Sequence, residues 1–110
     1  MEITNDSYAV DTLKTWYQTN QEQFEKQCIS NEFKDSGHSS AAVLLETNNH
    51  LIDISAWNHA SCLDIQILEI ESEESRFLTI GDCETKLIFV KHLESFITWL
   101  NNETNKKPNN

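Results

Sequence analysis

The chain has 110 residues, 38% of them hydrophobic, which is enough for one domain with a modest core. Its formal charge of −10, from 18 acidic and 8 basic residues, repels nucleic acid and anionic membranes and attracts cationic protein surfaces. The sequence has no leader-like N-terminus and no run of eighteen apolar residues, so we expect a cytoplasmic protein without a membrane span.

The first predicted element is a helix over residues 7–28, for which Asp6 or Ser7 could serve as the N-cap. Its apolar positions recur at steps of three and four residues, and they are Leu13, Trp16, Tyr17, Phe24 and Cys28. The next segment, SNEFKDSGHS, is predicted to be a connection in which only the neighbourhood of Phe33 would suit a short strand.

Four strands are predicted next, over residues 39–47, 50–57, 61–71 and 76–80. The separators are short and polar: Asn48-Asn49, Asn58-His59 and Ser72-Glu73-Glu74-Ser75. Such short loops indicate antiparallel neighbours in a meander. In the third of these strands the apolar phase changes after Ile67 and continues with Leu68 and Ile70, which predicts a bulge or a bend.

The turn at Asn58-His59 predicts a register in which Asp53 and Asp64 stand opposite each other. Like charges directly opposite destabilise a strand pair, so this placement needs an explanation. Three interpretations stay open: an ordinary solvated face, a catalytic carboxylate dyad with separated pKa values, and an acidic surface for an arginine or lysine of a partner.

The partner-binding interpretation centres on Trp57, which has the same strand phase as Asp53. A tryptophan beside carboxylates is typical of interface anchors and their rims, although the core is the alternative place for this indole. An acidic block around the turn into the fourth strand extends the negative surface. The residues predicted to bind a partner are Asp53, Ser55, Trp57, Asn58, His59, Asp64, Gln66, Glu69 and Glu71.

The last predicted element is a helix capped by Asp82 or Thr85. Its apolar stripe, which should cover one sheet face, consists of Phe89, Leu93, Phe96 and Leu100. The predicted fold class is α+β: an N-terminal helix, a four-stranded antiparallel meander sheet and a C-terminal helix, with one sheet face open to water. We expect residues 1–103 to form a single domain and residues 104–110 a flexible polar tail.

The sequence shows no catalytic constellation. Its four histidines lack the spacing of metal ligands, its two glycines form no phosphate-binding loop, and its three cysteines form no CxxC pair. Cys62 and Cys83 would be nucleophiles only if a histidine reached them in space. We therefore predict no catalytic residue, no metal, no cofactor and no small-molecule substrate, and a binding protein rather than an enzyme.

Five segments follow one another along the chain: DTLKTWYQTNQEQF, SAAVLLET, IDISAW, ILEIESEE and HLESFITWL. In this order and spacing they resemble the TriTu-type immunity proteins that are encoded beside Rhs-type polymorphic toxins. The chain departs from that pattern at two turns, where the family tends to have glycine and this sequence has Ala60 and Ser72-Glu73.

The resemblance implies a cytoplasmic bacterial antitoxin that binds and neutralises a cognate toxin, in the setting of type VI secretion and interbacterial competition. It implies that the toxin is an ADP-ribosyltransferase acting on elongation factor Tu, and that the immunity protein performs no chemistry. From charge alone, we expect its acidic surface to occlude the toxin's NAD-binding or target-docking cleft. A cleft that holds a pyrophosphate must be cationic and could accept carboxylates instead.

Three alternatives remain. The first is an acidic secretion chaperone, which should be a dimer with apolar grooves for an extended effector segment. The second is an enzyme built on Cys62, Cys83 and the aspartate pair. The third is a nucleic-acid mimic, whose carboxylates would be spaced like phosphates.

Overall fold

The computed structural model describes residues 8–36, 39–58, 62–81 and 85–104. In chain order its elements are α1 (Ala9–Gln27), β1 (Ser30–Asp35), β2 (Ser40–Glu46), β3 (His50–Trp57), β4 (Cys62–Glu69), β5 (Glu74–Thr79) and α2 (Lys86–Thr104). The five strands form an antiparallel sheet in the order β1-β2-β3-β4-β5. The α+β class and the meander are confirmed.

The sheet has five strands, so the prediction of four is wrong. The segment expected to be a connection forms β1, which pairs antiparallel with β2. The ring of Phe33 stacks on Tyr17 of α1 with centroids 5.7 Å apart, and the Tyr17 hydroxyl donates a hydrogen bond to Asn31 Oδ1. Contacts with a distant helix therefore stabilise β1, and its own sequence periodicity does not reveal them.

The core lies between one side of the sheet and the two helices. Nine inward-pointing residues of the three central strands are at most 5% exposed: Ala41, Val43, Leu45, Ile52, Ile54, Ala56, Leu63, Ile65 and Ile67. The predicted stripe of α2 is confirmed, because Phe89, Leu93, Phe96 and Leu100 are all fully buried. Leu13 and Phe24 of α1 belong to the same buried cluster, so both helices lie on the same side of the sheet. Burying a side chain of this size contributes about 1.5 to 3 kcal/mol.

The predicted cap of α2 at Thr85 is confirmed. Thr85 Oγ1 accepts a hydrogen bond from the backbone N–H of Ile88 at 3.1 Å. Asp82, the other candidate, lies outside the described residues. Within the described part of the chain, no helix has both the length and the apolar character needed to cross a membrane.

The start of α1 is capped from the sheet. Its N-cap residue is Tyr8, whose side chain makes no capping hydrogen bond, and the predicted caps Asp6 and Ser7 lie outside the described residues. Instead, Asn58 Oδ1 accepts the backbone N–H of Val10 at 2.9 Å. A residue at the end of β3 thus satisfies one of the free N–H groups in the first turn of the helix.

The register between β3 and β4 differs from the predicted one by two residues. The observed pairs include Asp53 with Gln66, Ser55 with Asp64, and Trp57 with Cys62. The predicted opposition of Asp53 and Asp64 is therefore wrong, and with it the geometry of a directly paired dyad. Four residues, 58–61, connect the strands instead of two, because the side chain of Asn58 caps α1 and its N–H donates to the carbonyl of Ser39.

The change of apolar phase in β4 does not arise from a bulge in that strand. Pairing with β3 is continuous along β4, and the register shift toward β5 falls between Ile65 and Gln66, with Leu78 as the extra residue of β5. Leu68 instead points away from the helices, and Ile70 lies in the turn after β4. The phase change thus marks a strand with apolar side chains on both faces.

We expect Phe96→Ala to lower the free energy of unfolding by about 3 to 5 kcal/mol, because it opens a cavity among fully buried side chains. Phe77→Ala is the matched control. Phe77 is 46% exposed on the other side of the sheet, and its loss should cost about 1 kcal/mol or less. Urea unfolding followed by circular dichroism measures both changes, and equal losses would contradict the one-sided core.

Candidate partner-binding face

The side of the sheet away from the helices forms what we call the outer face. Its side chains are Ser30, Glu32 and Lys34 from β1; Ser40, Ala42, Leu44 and Glu46 from β2; Leu51, Asp53, Ser55 and Trp57 from β3; Cys62, Asp64, Gln66 and Leu68 from β4; and Ser75 and Phe77 from β5. Leu51 and Phe77 are 43% and 46% exposed. Large apolar side chains therefore reach solvent on a face that no described helix covers.

Two neighbouring rows of side chains across the strands form a groove of about 670 Å³, which we call the acidic groove. The first row is Ser30, Glu46, Leu51, Leu68 and Ser75, and the second is Glu32, Leu44, Asp53 and Gln66. Its floor is apolar, from Leu44, Leu51 and Leu68, while Glu32, Glu46 and Asp53 supply carboxylates.

The carboxylates of the acidic groove lie close to its apolar floor. Glu32 and Asp53 are the direct cross-strand neighbours of Leu44, one on each side, which places each Cβ about 5 Å from that of the leucine. Asp53 Oδ1 accepts a hydrogen bond from Ser55 Oγ at 2.6 Å. Of the described residues that line the groove, none is cationic, so the groove presents negative charge around an apolar centre.

A second depression lies beside Trp57, and we call it the Trp57 depression. It encloses about 500 Å³ and is lined by Lys34, Asp35, Ser36, Ser40, Ala41, Ala42, Ser55 and Trp57. Trp57 is 38% exposed and points to the outer face, so the alternative that its indole belongs to the core is wrong.

The structure brings together part of the predicted binding set. Asp53, Ser55, Trp57, Asp64 and Gln66 all lie on the outer face. Asp64 also has a structural partner, because its Oδ1 accepts the backbone N–H of Gly81 at 3.0 Å and so holds the chain after β5.

Other predicted binding residues lie elsewhere. Asn58 caps α1, and His59 lies outside the described residues. Glu69 follows the inward phase of β4 and accepts a hydrogen bond from Ser72 Oγ at 2.7 Å, while Glu71 lies exposed in the turn that follows.

Sequence reasoning missed the apolar part of the outer face and two of its carboxylates. The missed residues are Glu32, Leu44, Glu46, Leu51, Leu68 and Phe77. A signal was present, because Leu44, Leu51 and Leu68 each stand next to a core residue in sequence and therefore point to the opposite face. Apolar residues in both phases of a strand are typical of strands whose two faces are both covered.

The described residues offer little for catalysis. Burial raises the pKa of the Cys28 thiol to about 11, so it stays protonated and unreactive at neutral pH. Cys62 is partly buried on the outer face, and Cys83 lies outside the described residues. Among the residues that the structure describes, no three His, Cys, Asp or Glu side chains come together as a metal site requires.

Comparison with known families decides the class of protein. The family model described as Immunity protein TriTu matches residues 11–103. The chain belongs to the TriTu immunity protein family. The match runs from the first turn of α1 into the last turn of α2, so it includes the whole outer face.

Membership in the TriTu family gives the chain an immunity role and implies a cognate toxin as its partner. Immunity protein families of this kind are generally non-enzymatic, in keeping with a site made of apolar and carboxylate side chains. No curated protein and no solved structure matches the chain.

We expect Asn58→Ala to lower the free energy of unfolding by about 1 kcal/mol, because the N–H of Val10 loses its capping acceptor. Asn58→Asp should keep most of the stability, since a carboxylate oxygen accepts the same bond and suits the positive end of a helix. Urea unfolding of the two variants checks this. An equal loss in both would show that the cap is not what Asn58 contributes.

Proposed function

We propose that this TriTu family member neutralises its cognate toxin by covering a cationic surface of the toxin with its outer face. The toxin would be an ADP-ribosyltransferase acting on elongation factor Tu, encoded in the adjacent gene as the C-terminal domain of an Rhs-type protein. The observation that carries this proposal is the acidic groove, in which three carboxylates lie around a partly exposed apolar floor.

The composition of the groove suits a folded, basic partner. Apolar surface contributes about 25 cal/mol for each Å² removed from water, so Leu44, Leu51 and Leu68 favour being covered. Carboxylates at the rim accelerate encounter with a positive surface and disfavour a negative one. A second copy of this chain would bring the same carboxylates against themselves, so the groove selects against self-association through this face.

The proposed mechanism is steric and electrostatic. A cleft that binds NAD must hold a pyrophosphate, and its cationic groups would accept Glu32, Glu46 and Asp53 in place of phosphate oxygens. A cleft that docks the target would be blocked in the same way. The immunity protein would make and break no bond, and it would act in the cytoplasm, where the proposed target works.

The direct test uses the C-terminal domain of the product of the gene immediately upstream. This domain should arrest bacterial growth when expressed alone and should leave growth normal when this chain is co-expressed. In vitro, the domain should transfer label from radiolabelled NAD to elongation factor Tu, and an equimolar amount of this protein should stop the transfer.

Two results would overturn the proposal. One is continued growth arrest in the presence of this well-folded protein. The other is light scattering that shows a stable dimer bound only to an unfolded effector segment, which is the behaviour of a secretion chaperone.

Charge neutralisation should slow association with the toxin. We expect the triple variant Glu32→Gln, Glu46→Gln, Asp53→Asn to lower the association rate at low salt by roughly tenfold, because it removes the steering charges of the groove. Its association rate should also depend less on salt. Stopped-flow kinetics at several salt concentrations measure both effects.

The matched control removes three charges from exposed positions of the helices: Glu22→Gln, Glu25→Gln and Glu94→Gln. Its association rate should stay much closer to that of the unaltered protein. If both triple variants slow association equally, net charge rather than the acidic groove governs encounter.

A further inference from the structure

We propose that the Trp57 depression receives one uncharged, apolar side chain of the toxin, and that this contact determines how slowly the complex dissociates. This inference rests on the proposed function, because it takes the outer face as the surface that the toxin covers.

The depression forms where two small side chains lie between rows that contain larger ones. Ala42 and Ser55 face each other directly across β2 and β3, and both side chains are small. On one side of them lies the row that contains Leu44 and Asp53, and on the other side lies Trp57. The larger neighbours therefore surround a pit whose bottom is made of a methyl group and a hydroxymethyl group.

The charge of the depression differs from that of the acidic groove. Lys34 pairs with Ala42 and Asp64 pairs with Ser55, so one positive and one negative charge flank the bottom of the depression. The acidic groove instead has three carboxylates and no described cation. A cationic side chain of the toxin would be attracted more strongly to the acidic groove than to the depression. An anionic side chain would find no net positive charge in the depression. An apolar side chain needs no counter-charge, and it would contact Ala42 and the indole.

The walls of the depression are held in place by the sheet. Trp57 pairs with Ser40 on one side and with Cys62 on the other. At the β1–β2 end, the hydroxyls of Ser36 and Ser40 are hydrogen-bonded at 2.6 Å. A side chain that enters such a site orders few protein groups, so little of its binding energy is lost to ordering. Tryptophan is also among the residue types enriched at the energetic centres of interfaces.

The two parts of the outer face should therefore act on different rate constants. Rim charges mainly change the association rate and its salt dependence, while a desolvated apolar anchor mainly changes the dissociation rate. This separation lets the depression be tested independently of the acidic groove.

The experiment replaces a small residue at the bottom of the depression with a larger one, so that the protein's own side chain occupies the space. Ala42→Leu adds a larger side chain on the outer face, where it need not disturb the core, and Ser95→Leu adds the same side chain at an exposed position of α2 as the control. Trp57→Ala is a second variant that removes the wall instead. The probe is the C-terminal domain of the adjacent upstream gene product, and the dissociation rate is measured by displacement with excess unlabelled protein.

We expect Ala42→Leu and Trp57→Ala each to raise the dissociation rate by roughly 30-fold, with the urea midpoint of Ala42→Leu and the salt dependence of association unchanged. Ser95→Leu should leave dissociation unchanged. Dissociation of Ala42→Leu and Trp57→Ala at the unaltered rate would overturn the inference, as would an equal effect of Ser95→Leu.

These outcomes also separate this inference from the proposed function. If the charge-neutralised groove still slows association while the depression variants dissociate normally, only the depression is rejected. If neither set of variants alters binding to the toxin, the outer face is not the toxin-binding surface and both proposals fail.

Discussion

The placement of both helices on one side of the sheet is the constraint on which the rest of the structure depends. Side chains alternate along a strand, so once the residues of one phase are buried against α1 and α2, the residues of the other phase must point the other way. On this protein those residues include Leu51 and Phe77, each more than two fifths exposed. These exposed apolar side chains lie beside the carboxylates of the acidic groove, and they are the surface that we propose the toxin covers.

The geometry of the outer face depends on contacts made elsewhere in the molecule. The position of Asp53 opposite Gln66 follows from the length of the connection after β3, and that connection is anchored by the bond between Asn58 and the first turn of α1. Asp64 points to the same face but is tied to the backbone of Gly81. The two carboxylates share a face but differ in role. Asp53 accepts a hydrogen bond from Ser55 in its own strand, whereas Asp64 holds the segment after β5.

Local patterns in the sequence predict most of this fold. The stripe of α2 is apparent from the spacing of Phe89, Leu93 and Phe96, because each buried position recurs within one helical turn. The sequence also shows which residues of the three central strands point to the core. Ile52 and Ile54, for example, alternate with polar or partly exposed residues.

The features that the sequence does not predict are set by contacts between distant residues. β1 contains only Phe33 as a large apolar residue, and its stacking on Tyr17 depends on a helix that precedes it. The register error of two residues has the same origin. A turn of Asn58-His59 is reasonable in isolation, but Asn58 bonds to two distant segments, the first turn of α1 and the carbonyl of Ser39. The acidic groove is predictable in part. Its leucines are recognisable in the sequence as a second apolar phase, but its assembly from five strands requires the correct register.

The central claim is that the toxin covers the outer face, and methyl cross-saturation in the complex tests it most directly. The leucine methyl signals of this protein are observed while the protons of the toxin are irradiated. The methyl signals of Leu44, Leu51 and Leu68 should then lose intensity. Leu87, which is 70% exposed on α2, should not. Saturation of Leu87 with the three outer-face leucines unaffected would show that the toxin binds the helical side, and would contradict the account.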